Sequence, residues 1–439
     1  MVILVADIQA LTELTSIARA PLSDWATRYP DRQAMGYLCS YVPVEIIHAA
    51  GLTPVRVRGN AAPLRRVDAQ LQPFTCALCR STLDQLLCGE LQFLAGTVLA
   101  HTCDAMQALA DLWRIGSVRS QANAGSAGPV RLVDVVMQPT NLGSPAAHAY
   151  LIAELGRFRD RLAALVGHPI TDDDLRASIS LYNDTRQLIR ALQQQRDRLS
   201  APDFFSILDA AQVMPREQFN PLLTNLLAAL GKVPAHQAET TPPPVHHGGP
   251  GLFLTGAVLD EPLVLEIIEE LGARVAGDDM CSGSRHFHDL VDIQGPGLSR
   301  PIEPGLSPVL RSTASVAVAP WPAGASQGGR ASGPGSREDD PIAALAAYSL
   351  RRPPCPAKLH PQHDPGRYLL DQVRAARADG VLFILEKFCD PHAFERALTL
   401  PALDGAGVPH LLLDAPGAEQ SANLEGVRTR LQAFVEMLA

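Results

Sequence analysis

The stretch at residues 35–59, "MGYLCSYVPVEIIHAAGLTPVRVRG", reads as strand, turn, helix and strand. "MGYLCS" and "TPVRVRG" are short runs rich in apolar and β-branched residues, and "PVEIIHAAG" between them has helical spacing. A helix between two such runs is the signature of a parallel βαβ unit. Working outward, the helix "RSTLDQLLCGEL" and the strands "AGTVLAHT" and "VRLVDVVMQP" extend that pattern to residue 143. Residues 144–235 then read as helical throughout. Ser144 is expected to cap "PAAHAYLIAELGRFRDRLAALVG" with Pro145 at its first position, and Thr171 with Asp174 to frame a capping box for the next helix. After a Pro/Gly/His-rich linker at 236–250, the α/β pattern returns over 251–439 in "GLFLTGAVL", "PLVLEIIEELG", "ARVAGD", "GVLFILEKF" and "PHLLLD". A Gly/Pro-rich insertion near 295–340 interrupts it. The expected fold class is α/β, with two parallel-sheet (Rossmann- or flavodoxin-like) domains and an intervening helical segment.

A chain of 439 residues that is 46% apolar has material for more than one core. A net charge of −9 argues against nucleic acid or an anionic membrane as the main partner. No apolar run reaches the ~18 residues that a spanning helix needs. The opening "MVILVADIQALTEL" has no basic stretch and is interrupted by Asp7, so no signal peptide is expected and the cytoplasm is the expected location. Eight cysteines in such a chain point to reduced thiols, metal ligands or catalytic residues. His246 and His247 sit in the linker with no third ligand near in sequence and read as bland.

Ligands of open parallel sheets gather beyond the carboxyl ends of the strands. Cys39 ends "MGYLCS", Cys103 ends "AGTVLAHTC" with Asp104 expected to cap the helix that follows, Cys281 follows "ARVAGDDM", and Cys389 follows "VLFILEKF". Asp390 and Pro391 mark a helix start, so the Cys389 sulfur is expected near a helix amino terminus and beside Lys387, both favouring thiolate. Cys76, in "QPFTCALCRS", precedes a helix and is followed by Arg80. A free cysteine is often only a small buried hydrophobe, which is how Cys88 reads. The Cys76–Cys79 pair has CxxC spacing, open to zinc or to a redox disulfide, but no second close pair completes a zinc ribbon. Dispersed thiols gathered by a fold suit an iron–sulfur cluster. Neither a G-x-x-x-x-G-K-[ST] loop nor a G-x-G-x-x-G after a strand is present, so any ATP must be hydrolysed by another polypeptide.

These segments together resemble the 2-hydroxyacyl-CoA dehydratase and benzoyl-CoA reductase superfamily. The likeness lies in "MGYLCSYVPVEIIHAAGLTPVRV", "CALCRSTLDQLLCGELQFLAGTVLAHTCDAM", "GDDMCSGSRHF", "DGVLFILEKFCDPHAFE" and "EGVRTRLQAFVEML", from about residue 35 to the end. The resemblance implies a 4Fe–4S cluster, a homologous sister subunit or a second copy as dimer partner, and a separate ATP-dependent iron–sulfur activator. It also implies an acyl-CoA thioester substrate: one electron either makes a ketyl radical from the thioester carbonyl so that hydroxide leaves the adjacent carbon, or enters an aromatic ring. Cys76, Cys103 and Cys389 match the family's cluster cysteines. Cys79 is the alternative to Cys76, and Cys39 is a further matching thiol. Glu45 is the expected acid/base, against the reading of an ordinary first-turn carboxylate. Arg285 is expected to hold a CoA phosphate or to orient its loop. Two other readings stay open, a homodimeric double-cubane reductase of small molecules and a partner subunit that relays electrons without turnover.

Overall fold

A computed structural model describes residues 3–60, 62–121, 132–232, 249–259, 262–293, 340–414 and 424–439. The expected linker at 236–250 and insertion near 295–340 lie almost wholly outside these residues, as do His246 and His247. Two four-stranded, all-parallel sheets carry the fold. The first has β1 (Ala34–Leu38), β2 (Thr53–Arg56), β3 (Leu94–His101) and β4 (Leu132–Met137) in the order β2-β1-β3-β4. The second has β5 (Gly251–Gly256), β6 (Arg274–Met280), β7 (Gly380–Leu385) and β8 (His410–Asp414) in the order β6-β5-β7-β8. The order is the same in both, so each sheet has a switch point where the chain reverses its direction of winding: between β1 and β3, and between β5 and β7. Parallel sheets of this kind bury both faces, and β1, β2, β5 and β7 are buried along their whole length.

The helices are α1 (Ile3–Arg19), α2 (Trp25–Arg28), α3 (Val44–Ala49), α4 (Ala77–Leu87), α5 (Asp104–Gln121), α6 (Ala147–Val166), α7 (Asp172–Gln193), α8 (Ala201–Val213), α9 (Arg216–Lys232), α10 (Leu263–Glu270), α11 (Pro341–Arg351), α12 (Pro365–Ala375), α13 (Asp390–Gly405) and α14 (Leu424–Leu438). Helices α6 to α9 form the expected helical segment. The Thr171 hydroxyl accepts from the Asp174 amide, and Asp174 returns the bond to Thr171, as a capping box requires. Ser144 does not cap α6. Its hydroxyl accepts from the Ala146 amide at 3.3 Å, closing a local turn, so the helix begins at Ala147. Helix α1 packs on α8 and α9, joining the amino terminus to the helical segment. A largest core runs from α1 and sheet one through α8 to sheet two, and a second joins the β1–α3 face to α6, α7 and α11.

Candidate functional site

Helix starts in this chain recur with one geometry. Asp340 caps α11, its carboxylate accepting from the Ile342 and Ala343 amides, and Asp364 caps α12, accepting from the Arg367 amide. At three other starts the capping position is a cysteine. The carbonyls of Cys76, Cys103 and Cys389 accept the first helical bonds from Arg80, Gln107 and Ala393, each at 3.1 Å. Asp104, expected as a cap, is therefore the first residue of α5, and its place is taken by Cys103. Each sulfur sits where unpaired first-turn amides and the helix dipole favour negative charge.

The fold brings these amino termini together. The Ala77 amide donates to the Lys387 carbonyl at 3.3 Å, stitching the start of α4 to the loop between β7 and α13. Hydrogen bonds from the Cys389 and Cys79 thiols hold Cys76 well below the ordinary thiol range. The same contact with Cys76, then burial, pushes Cys389 and Cys79 up. Burial pushes Cys103 up to about 11, with Cys39 and Cys76 among the charges it feels. The more acidic sulfur of this contact is thus Cys76, not Cys389 where the thiolate is expected. Neither predicted cation drives it: Lys387 turns over the Phe388 ring at 5.3 Å, and Arg80 pairs with Asp68 at 2.5 Å.

Around this group lie further thiols. Cys39 follows β1 in a left-handed conformation (φ 79°) with its sulfur 3.4 Å from the Thr102 hydroxyl. Cys281 acts electrostatically on Cys39, and both act on Cys355. Sequence reasoning passed over Cys355, which sits in "RRPPCPAKLH" with no strand or helix signal beside it. Cys88 lies apart, its thiol donating to Asp84 at 3.6 Å.

A charged chain runs inward from Cys281. Its sulfur lies 3.4 Å from His392 Nε2, and His392 Nδ1 lies 3.4 Å from Glu395. Burial opposes a charged imidazole there, but the Cys281 sulfur and Glu395 raise His392 to about 9. Burial likewise opposes the Cys281 thiolate, and His392 brings it below its usual range. His392 and Glu395 were missed individually, although their i, i+3 spacing in "DPHAFE" places them on one helix face.

Arg285 is 2% exposed. Its Nε donates to Asp279 at 2.9 Å, and its Nη2 lies 3.8 Å from Glu395. The Asp279 pair ties the 3₁₀ turn Ser284–Phe287 to the end of β6, while Nη1 of Arg285 has no hydrogen-bond partner among the described residues. Glu45 is buried in the first turn of α3 and ion-paired with Arg186 of α7, while its carbonyl accepts from Ser178 at 2.8 Å. Together with Ser40, His286 and Arg352 it lines a cavity of about 20 Å³, which the β1–α3 loop joins to Cys39.

Among the described residues, no three His, Cys, Asp or Glu side chains close around a single metal ion. An iron–sulfur cluster spreads its thiolates more widely than one ion does. An all-sulfur donor set of Cys76, Cys103 and Cys389, with Cys79 in contact, has the soft-ligand chemistry such a cluster takes. The residues fit the group.

The family model described as "2-hydroxyglutaryl-CoA dehydratase, D-component" matches residues 39–304 and 323–438. The chain is 27% identical to one of the subunits of the benzoyl-CoA reductase of Thauera aromatica, over 94% of this chain and 93% of that protein. It is 22% identical to the (R)-phenyllactyl-CoA dehydratase beta subunit of Clostridium sporogenes, over 93% and 92%. Identity is also 22% to the beta subunit of the (R)-2-hydroxyglutaryl-CoA dehydratase of Acidaminococcus fermentans, over 93% of each.

Proposed function

We propose, for a chain that belongs to the 2-hydroxyglutaryl-CoA dehydratase D-component family, that it is the iron–sulfur subunit of an enzyme acting on an acyl-CoA thioester. Its relatives are subunits of dehydratases and of a reductase. Cys76, Cys103 and Cys389 would hold a 4Fe–4S cluster, with Cys79 the alternative to Cys76 and Cys39 a further candidate. When bound, that group supplies an electron at low potential, received from a separate ATP-dependent activator. The dimer partner is a homologous sister subunit or a second copy, and the proposed location is the cytoplasm. The chain's own contribution is positional. Three helix amino termini turn their amides toward the sulfurs and favour the thiolate form. The mostly buried setting limits water at the site, and Arg285 holds the 3₁₀ turn after Cys281 in place. Glu45, in the first turn of α3, is the proposed proton carrier.

The observation that carries this reading is the contact of Cys76 with Cys389, thiols from opposite ends of the chain. Its test is anaerobic reconstitution with an activator, ATP, a reductant and a sister subunit, against a panel of 2-hydroxyacyl-CoA and aryl-CoA thioesters. Turnover of one class, lost in C389S, is expected; a fully assembled, iron-loaded complex that turns over neither class would overturn it. One observation favours a second reading, an electron-relay subunit without turnover: Glu45 is already engaged by Arg186. In that case Glu45→Gln leaves the rate of the assembled complex unchanged.

A further inference from the structure

The cavity lined by Glu45 has more positive charge than its neighbours neutralise. Arg186, Arg216 and Arg352 all line it, and Glu45 is the single carboxylate in its lining among the described residues. Glu45 is taken by Arg186. Arg352 donates only to neutral carbonyls, that of Ser40 at 2.7 Å and that of Arg285 at 3.0 Å, and its Nε has no hydrogen-bond partner among the described residues. Arg216 is 4% exposed, yet its Nε and Nη1 are both without a partner among the described residues.

Aromatic rings cover the faces of these guanidinium groups. Arg216 lies over Tyr182 at 4.9 Å, and Arg352 over Tyr41 at 4.7 Å. A ring attracts a cation through its face but accepts none of the in-plane N–H bonds. The rings therefore leave in-plane N–H groups of these cavity-lining residues unsatisfied. His286 adds no further positive charge: burial, then the guanidinium groups of Arg56, Arg352, Arg216 and Arg186, hold its ring well below the ordinary imidazole range. Buried guanidinium groups without an anion are costly, so the protein gains by admitting one. At about 20 Å³ the cavity exceeds the ~10–15 Å³ that one water needs, which suits a small anion and excludes a bulky one.

We propose that this cavity, walled by Arg186, Arg216 and Arg352, is a binding site for a small monovalent anion of the carboxylate class. The proposal stands on these residues alone and holds whether or not the thiols carry iron. The anion is either free in solution or the carboxylate end of a larger molecule, and both would seat against Arg216 and Arg352.

The test uses the full chain with formate and bromide as probes, and sulfate at equal ionic strength as a control too large for the cavity. Formate is expected to raise Tm to a plateau that sulfate does not reproduce, and crystals soaked in bromide should show an anomalous peak within hydrogen-bonding distance of Arg216. Arg216→Gln removes the formate plateau; should that variant not fold, the bromide peak in the parent decides alone. A terminal carboxylate is distinguished by competition: glutaryl-CoA displaces formate if the site takes the end of a larger molecule, whereas butyryl-CoA does not. Equal shifts from formate and sulfate, a plateau kept by Arg216→Gln, or no bromide in the cavity would each overturn the proposal.

Discussion

Glu45 and Arg186 form a buried pair whose removal separates a structural role from a chemical one. Glu45 is 2% exposed and Arg186 5%, and the two are ion-paired. Arg186 also donates to Asn183 at 3.1 Å and lies over the Tyr348 ring at 4.7 Å, so it cannot swing out to solvent without losing both contacts. Replacing Glu45 with Leu leaves a guanidinium buried without its anion, and losses of this kind run to about 3–5 kcal/mol. Arg186→Met leaves the opposite charge stranded and should lose a similar amount. The double variant Glu45→Leu with Arg186→Met strands neither charge and should recover to within about 1–2 kcal/mol of the parent, because apolar replacement of a whole pair is often nearly neutral. The coupling energy of this cycle is then about 3 kcal/mol or more. Urea unfolding followed by circular dichroism under anaerobic conditions reads it from the shift in midpoint at constant slope. Additive single-variant losses, with coupling below about 1 kcal/mol, would refute the reasoning, since they would mean that the pair does not bear on stability.

Thr171→Ala removes the capping box of α7 and should lower stability by about 1 kcal/mol in the same unfolding assay. Gly256→Ala should cost on the order of 3 kcal/mol, because at φ +148° an added Cβ would meet the Ile384 carbonyl oxygen at 1.9 Å; a Tm equal to the parent's contradicts that. Burial lowers His288 to about 4. A histidine depressed in the folded state stays neutral there while the unfolded chain takes up a proton, so stability falls as pH drops from about 6.5 to 4, by no more than about 3 kcal/mol. His288→Gln should flatten that part of the stability-against-pH curve.

The strands were legible because parallel strands buried on both faces leave short, continuous apolar runs between helical ones. "GVLFILEKF" and "GLFLTGAVL" needed nothing further. The positions of Cys39, Cys103 and Cys389 followed from the same reading, since a strand end in such a sheet is also a crevice. Other features rest on contacts between distant segments. That Cys76 rather than Cys389 is the more acidic sulfur depends on which thiol donates to which, and Lys387 and Arg80 looked relevant only because they are neighbours in sequence. Cys355 reaches the thiol group through a Pro-rich loop without periodicity. The partner of Glu45 comes from α7, far along the chain, so no local pattern announced it. Helix α1 was read only for what it lacked, and its packing on α8 and α9 is a tertiary fact. At Ser144 and Asp104 the residue type was suited to capping, but local turn chemistry or a preceding cysteine took the position.

The central claim is that Cys76, Cys103 and Cys389 form one inorganic site. Iron and acid-labile sulfide per chain, measured after anaerobic purification of the parent and of the single Ser variants at these positions, test it most directly. The account predicts about four irons per chain in the parent and a marked loss in each variant, with the chain still folded by circular dichroism. About eight irons would indicate the double-cluster arrangement instead, and equal iron in parent and variants would contradict the claim.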